Sequence, residues 1–138
     1  MAFTPRIEDA LTAGRLGHLT TLNPDGSPQV SAVGIGLDGE DIVIGHLVGG
    51  VKTRNIARDN RVALTVEASG SNPIGMTNCP IVCGHGRLLE GGAPELLQRL
   101  ARVYLGPGAM FPPMPDPPVG QVIHITSVRF GGVGPWTS

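Results

Sequence analysis

Apolar and polar residues alternate over several short stretches of this chain, and turn residues separate the stretches. Residues 18–23 (HLTTLN) read as a first strand, and Pro24-Asp25-Gly26-Ser27 as the turn after it. Residues 29–37 read as one continuous second strand, Asp38-Gly39 as a tight hairpin signal, and 41–46 (DIVIGH) as a third strand rich in β-branched residues. A fourth strand is expected over 61–67, a fifth over 80–90 and a last one over 122–130 (VIHITSVRF). Three stretches have a helical period instead. TPRIEDALTAG offers Thr4 as a cap, Pro5 at the first helical position, Glu8 and Asp9 near the positive end and Gly14 as the stop, with Ile7 and Leu11 on one apolar stripe. Residues 51–59 predict a short helix with Asn60 as a left-handed cap. Residues 93–105 predict an amphipathic helix with Leu96, Leu97, Leu100 and Tyr104 on its apolar side.

About six strands, mostly hairpin-connected, with three helices at the start and in the crossovers, define a mainly β fold class. The expected architecture is a closed or nearly closed antiparallel barrel whose ends or gaps the helices plug. A length of 138 residues fits one domain over 1–138. Two segments stand outside the regular pattern, the turn-rich 68–78 and the proline-rich 106–120 (GPGAMFPPMPDPPVG). Met110, Phe111 and Met114 in the second could cover a planar ligand, pack on a neighbouring subunit or fill a gap in the core.

Composition adds a few constraints. Hydrophobic residues make up 41% and charged ones 15%, enough for a core and little charge for a fully wetted monomer, so a self-association surface is expected. A net charge of −1 favours neither nucleic acid nor an anionic membrane as partner. No apolar run approaches membrane-spanning length, and MAFTPRIEDA has neither a basic n-region nor an apolar h-region, so a cytoplasmic location is expected. Cys79 and Cys83 lie four apart in an expected strand, which puts them on one face about 13 Å apart at ~3.3 Å per residue. That is too far for a disulfide, and CPIVC lacks the C-x-x-C spacing of a zinc site. The reading is two buried thiols in a reducing compartment.

The segment Gly34-Ile-Gly-Leu-Asp-Gly39 matches the glycine fingerprint of dinucleotide-binding proteins, and Asp59 follows twenty residues past Gly39. Context removes that reading. The glycines lie between two strands, the last closes a hairpin rather than opening a helix, and Asp59 belongs to a later helix.

More informative is the stretch after Gly49-Gly50. From Val51 to Arg61 it holds four basic residues and one acid, a local charge of +3. Two glycines let a ligand approach the backbone, the first helical turn offers free N–H groups, and Lys52 with Thr53 adds a cation and a hydroxyl. This describes an anion site of the phosphate-binding kind; a solvated basic helix face fits the same residues. No G-x-S-x-G elbow, H-E-x-x-H, P-loop or close carboxylate pair occurs, so no catalytic side chain is assigned. His18, His46, His85 and His124 read as packed or interface residues; His46, which ends the strand leading into the basic helix, is the best exception. An anion site without an acid–base set suits a phosphorylated cofactor that carries the reactive atoms itself. Trp136, the single tryptophan, reads as an anchor onto its own barrel or across a dimer, with stacking over a cofactor as the sharper option.

HLTTLNPDGSPQVSAV, DIVIGH, VKTRNIARDNRVALTVE, GRLLE and VIHITSVRF together resemble the pyridoxamine-5′-phosphate-oxidase-like split β-barrel superfamily, over roughly 16–136. The branch most resembled is that of the small reductases using the deazaflavin coenzyme F-420. The Asn-Pro-Asp-Gly-Ser-Pro-Gln hairpin followed by Lys-x-x-Asn-x-x-x-Asp carries the resemblance. It implies a six-stranded split barrel working as a homodimer, with two cofactor clefts at the subunit interface. Lys52 would hold the cofactor phosphate, accompanied by Val51, Thr53, Arg54 and Asn55. Gln29, Val30 and Ser31 would match the strand along which the isoalloxazine-like ring lies, with Ile44 and Gly45 on the neighbouring strand. The tail around Trp136 would come from the partner subunit. The flavin-dependent members hold the phosphate with an adjacent arginine–lysine pair and carry basic residues on the ring strand. Here Val51 precedes Lys52, and 29–33 contains no basic residue. The resemblance therefore implies reduced F-420 as hydride donor to an unsaturated or electrophilic small molecule. Its rivals are an FMN-dependent oxidase or reductase, a non-catalytic carrier of F-420, flavin or haem, and a barrel serving only as an interaction module.

Overall fold

The computed structural model describes residues 3–136. The Thr4 hydroxyl accepts the Ile7 N–H and Pro5 follows it, so α1 (Pro5–Thr12) starts at the expected cap and buries Ile7 and Leu11. The strands are β1 (Gly17–Leu22), β2 (Pro28–Val33), β3 (Gly36–Asp38), β4 (Asp41–His46), β5 (Arg61–Val66), β6 (Cys79–Glu90) and β7 (Gln121–Val133). Between them lie α2 (Val51–Arg58) and α3 (Ala93–Tyr104). Every strand pairing is antiparallel, in the order β2-β1-β5-β6-β7-β4-β3. The two end strands, β2 and β3, are consecutive in the chain and joined only by Gly34 and Ile35. The chain thus ties the ends of the sheet together, and the mainly β fold is a barrel with one split.

The continuous strand expected over 29–37 is in fact two, which raises the count from six to seven. Tyr104 supplies the reason. Its hydroxyl accepts the Ile35 N–H at 2.9 Å and donates to the Arg15 carbonyl at 2.9 Å. A side chain from the end of α3 takes the place of a ladder partner, and the β3–β4 ladder begins only at Gly36–Val43. The free edge of β4 over 44–46 borders the split. Asn60 is also corrected: no described residue other than glycine has a left-handed backbone. Instead α2 ends at Asp59 in an extended conformation, and the Asn60 carbonyl accepts the Gly86 N–H.

Alternation explains the core. On β5, Val62, Leu64 and Val66 point inward and their neighbours outward. β4 is buried on both faces: Ile42 and Ile44 enter the barrel, while Val43 packs with Leu96, Leu100 and Val122 under α3. Gly45 is what lets α3 lie so close, since a Cβ there would sit 3.0 Å from Leu97. β7 runs past the expected end at 130 because Gly131-Gly132-Val133 continues to pair with Ile81-Pro80-Cys79. Opposite Cys83-Gly84, Val128 is an extra residue of β7, a bulge that bends β7 there. Cys79 and Cys83 are free thiols on the outer face of β6, half-exposed rather than buried, because no helix covers them. The 106–120 segment has no helix or strand, and the Gln98 amide clamps it through the Ala109 carbonyl (2.7 Å) and the Phe111 N–H (2.9 Å). Among the described residues no helix is long and apolar enough to cross a membrane.

Candidate functional site

β4 delivers His46 at its end, and the chain turns through 47–50 into α2. Gly50 is the N-cap and has no side chain to offer the first turn. Thr53 folds back instead: it accepts the Gly50 N–H at 3.1 Å and donates to the Gly50 carbonyl at 3.0 Å. The N–H groups of the first helical turn keep no side-chain cap, and the positive end of the helix dipole faces outward with them. Lys52 is half-buried beside this turn, and burial pulls its ammonium below the usual lysine range. Burial and then the Lys52 charge hold the His46 imidazole below its ordinary value of 6.5. The Nε2 of His46 is buried without a hydrogen-bond partner, and a Cβ on Gly50 would lie 3.3 Å from it. One cation, one neutral imidazole with an unused acceptor, and the uncapped start of a helix therefore converge. These residues fit a phosphate-bearing ligand that also carries a hydroxyl: the anion meets Lys52 and the backbone, and the hydroxyl meets His46.

The remaining expected residues are distributed differently. Val51 and Arg54 are exposed at the helix start. The Asn55 side chain, expected to accompany Lys52 at the ligand, is 2% exposed and turned into the barrel. Its amide donates to Thr21 (3.0 Å) and Asn23 (3.1 Å), and its oxygen accepts from Arg58 (3.2 Å). Arg58, in turn, also donates to the Leu22 carbonyl, so it is tied to β1 and is not a free partner for Arg54. Gln29 and Ser31 share the inner face of β2 and bond to each other at 2.8 Å, while Val30 points the opposite way and is 58% exposed. A ring lying on one face of β2 meets Gln29 and Ser31 or Val30, not all three. The Ile44 side chain is core, so what this residue offers a ring is its backbone. Gly45 has its outer face under Leu97 and offers only backbone.

Trp136 takes one of the places its sequence context left open, that of an anchor onto its own barrel. It is 4% exposed, belongs to the core of its own barrel, and donates its indole N–H to the Val133 carbonyl. It lies beyond the far end of β7, whose first residue, Gln121, is the one paired with His46. The resemblance implied a tail supplied to a partner; this tail is anchored at home, next to α1. Asp59, the acid that completed the false fingerprint, is bonded by Arg61 at 2.7 Å and has its carboxyl held at about 2 by those bonds. His124 is packed as expected, with its Nδ1 3.2 Å from Asp41, which Arg87 also holds. Thr21 and Asn23 were missed, and the alternation of β1 alone would have placed Thr21 inside. A cavity of about 340 Å³ beneath α3, lined in part by Val43, Leu96 and His124, includes neither Lys52 nor His46.

Comparison with known proteins places the fold. An F420 reductase of known structure superposes with a TM-score of 0.73 at 28% identity, over 90% of this chain and 94% of that one. A conserved hypothetical protein from Mycobacterium tuberculosis gives 0.67 at 23% identity, over 90% and 79%. HupZ from Group A Streptococcus gives 0.64 at 16% identity, over 96% and 98%, and shares the fold. No curated protein matches the chain. The family model for pyridoxamine 5′-phosphate oxidase matches residues 3–130, and with that span covered the chain belongs to the pyridoxamine 5′-phosphate oxidase family.

Proposed function

We propose that this chain is an oxidoreductase that uses reduced coenzyme F-420 to reduce an unsaturated or electrophilic small molecule, and that it works as a homodimer. The observation that carries the proposal is the convergence of Lys52, His46 and the uncapped start of α2. The 28% identity to an F420 reductase over nearly the whole length of both chains supports the choice of coenzyme. When bound, the coenzyme supplies the hydride. Lys52 and the first-turn N–H groups hold its phosphate, and His46 accepts a hydrogen bond from a neighbouring hydroxyl. Gln29 and Ser31 present polar groups at the edge of the split, where they orient the ring. The proton completing the reduction comes from water or from the groups that surround the cofactor. FMN is the second candidate, favoured by the family match and disfavoured by Val51 in the place of an arginine.

The test is to titrate the purified protein with F-420 and, separately, with FMN, following the fluorescence polarisation of each cofactor. Micromolar or tighter F-420 binding with weak FMN binding supports the reductase and directs a screen of enones and quinones as substrates. The reverse preference makes the chain a flavoprotein. Binding of neither overturns the cofactor reading.

A further inference from the structure

Asn55 was expected at the ligand and lies one helical turn below it, fully inside the protein. Its contacts form an ordered chain of hydrogen bonds. The Asn55 amide donates to the Thr21 hydroxyl (3.0 Å), the Thr21 hydroxyl donates to the Gln29 carbonyl oxygen (2.7 Å), and the Gln29 amide donates to Ser31 (2.8 Å). Arg58 supplies the start by donating to the Asn55 oxygen at 3.2 Å. Every link has one direction only. The Thr21 hydroxyl has a single proton and is 0% exposed; because Asn55 presents an N–H to its lone pair and not an acceptor to its proton, that proton is left to Gln29. The chain crosses three elements, from α2 through β1 to β2, and no other described side-chain bond joins α2 to β2.

We infer that Asn55 is a positioning residue: through Thr21 it fixes the orientation of the Gln29 amide, and so couples the Lys52 end of the cofactor site to the strand at its ring end. This inference rests on the proposed function for its consequence, cofactor binding, but not for the coupling itself. An asparagine three residues after the lysine is what the geometry requires, because only an amide at this depth both accepts from Arg58 and donates to Thr21. An aspartate of the same shape could still accept from Arg58, yet it would accept the Thr21 proton as well. Gln29 would then lose its donor and be free to turn over.

The experiment compares the native protein with Asn55→Asp and with Thr21→Val, the second of which breaks the chain in the middle without adding a charge. The first readout needs no cofactor: the side-chain amide resonances of Gln29 in an NMR spectrum, assigned by their loss in Gln29→Leu. The inference expects both variants to move and broaden these resonances. The second readout is the F-420 dissociation constant, which each of the three variants should raise by roughly three- to tenfold. Combining Asn55→Asp with Gln29→Leu should raise it no further than the worse single change. Gln29 resonances that stay in place in both folded variants overturn the coupling, and so do losses that multiply in the double variant. If the native protein binds no F-420, the proposed function falls, while the Gln29 resonances still decide the coupling.

Discussion

At the scale of single residues, Lys52 and His46 matter most, and they differ in what they predict. Lys52 makes no salt bridge within the chain among the described residues, although it is half-buried. A half-buried ammonium without a partner is a standing cost, and an anion would offset it. Lys52→Ala should therefore weaken F-420 binding by about 1.5–3 kcal/mol, or roughly ten- to a hundredfold, without lowering the melting temperature of the unliganded protein. An unchanged dissociation constant removes Lys52 from the site. His46 predicts a pH effect on the unliganded protein. Its folded value is depressed below 6.5 by burial and by Lys52. As the pH falls below 6.5, the unfolded chain takes up a proton at this position and the folded one does not, so stability is lost over that window. Denaturant titrations near pH 7.5 and near pH 5.5 should show a larger drop for the native protein than for His46→Gln. Equal drops would mean that the imidazole is not held neutral.

At the scale of elements, the split in the barrel is set by a contact that no local pattern contains. Tyr104 lies 69 residues from Ile35 in sequence, and its hydroxyl is the group that satisfies the Ile35 N–H. Tyr104→Phe keeps the ring and removes the acceptor, leaving that N–H unpaired beside a buried residue. The cost should be about 1–3 kcal/mol in a denaturation experiment. A variant as stable as the native protein would show that Ile35 finds another partner, such as an extended β3–β4 ladder. The same contact explains what could be read from the sequence. Period-two alternation makes β1 and β5 legible, because one face of each is buried and the other is not. Thr4, Pro5 and Gly14 make α1 legible for reasons contained within eleven residues. The break at Gly34-Ile35 is not legible in the same way, although the apolar phase shifts at Ala32-Val33 and two glycines follow, because a phase shift alone does not say where a ladder ends; the Tyr104 contact from α3 does. The site divides in the same way. The glycines and Lys52 announce an anion-binding helix start, since that chemistry is local. Whether Asn55 faces the ligand or the core depends on Thr21 and Asn23 across the barrel, and the spacing Lys-x-x-Asn fits both.

At the scale of the whole molecule, one face of the barrel has no cover. Cross-strand pairing aligns Val30, Thr20, Ala63 and Cys83 in one row over β2, β1, β5 and β6, and Ala32, His18, Thr65 and Ile81 in the next. Val30 is 58% exposed and Ile81 40%, and neither row contains a Lys, Arg, Asp or Glu. The helices lie elsewhere: α3 over β4 and β7, α1 against β3, and α2 against the inner ends of β1 and β6, where Asn55 and Ile56 enter. These two rows, flanked by the exposed Arg61 and Arg129, form an open strip without formal charge of their own, and that strip is the surface a second copy would cover. It also carries Val30, which turns away from Gln29 and Ser31, so association here would bring β2 of one subunit close to the other. A central charge is costly in such an interface, because it must be stripped of water without a partner. The native protein should therefore sediment at twice the mass of the chain, and Val30→Lys combined with Ile81→Lys should sediment as a folded monomer. Because the proposed cofactor cleft is one that a second subunit completes, the monomer should also bind F-420 more weakly than the dimer. A double variant that stays dimeric would place the interface on another face. A monomer that binds F-420 with undiminished affinity would show instead that Lys52, His46 and the start of α2 need no second subunit.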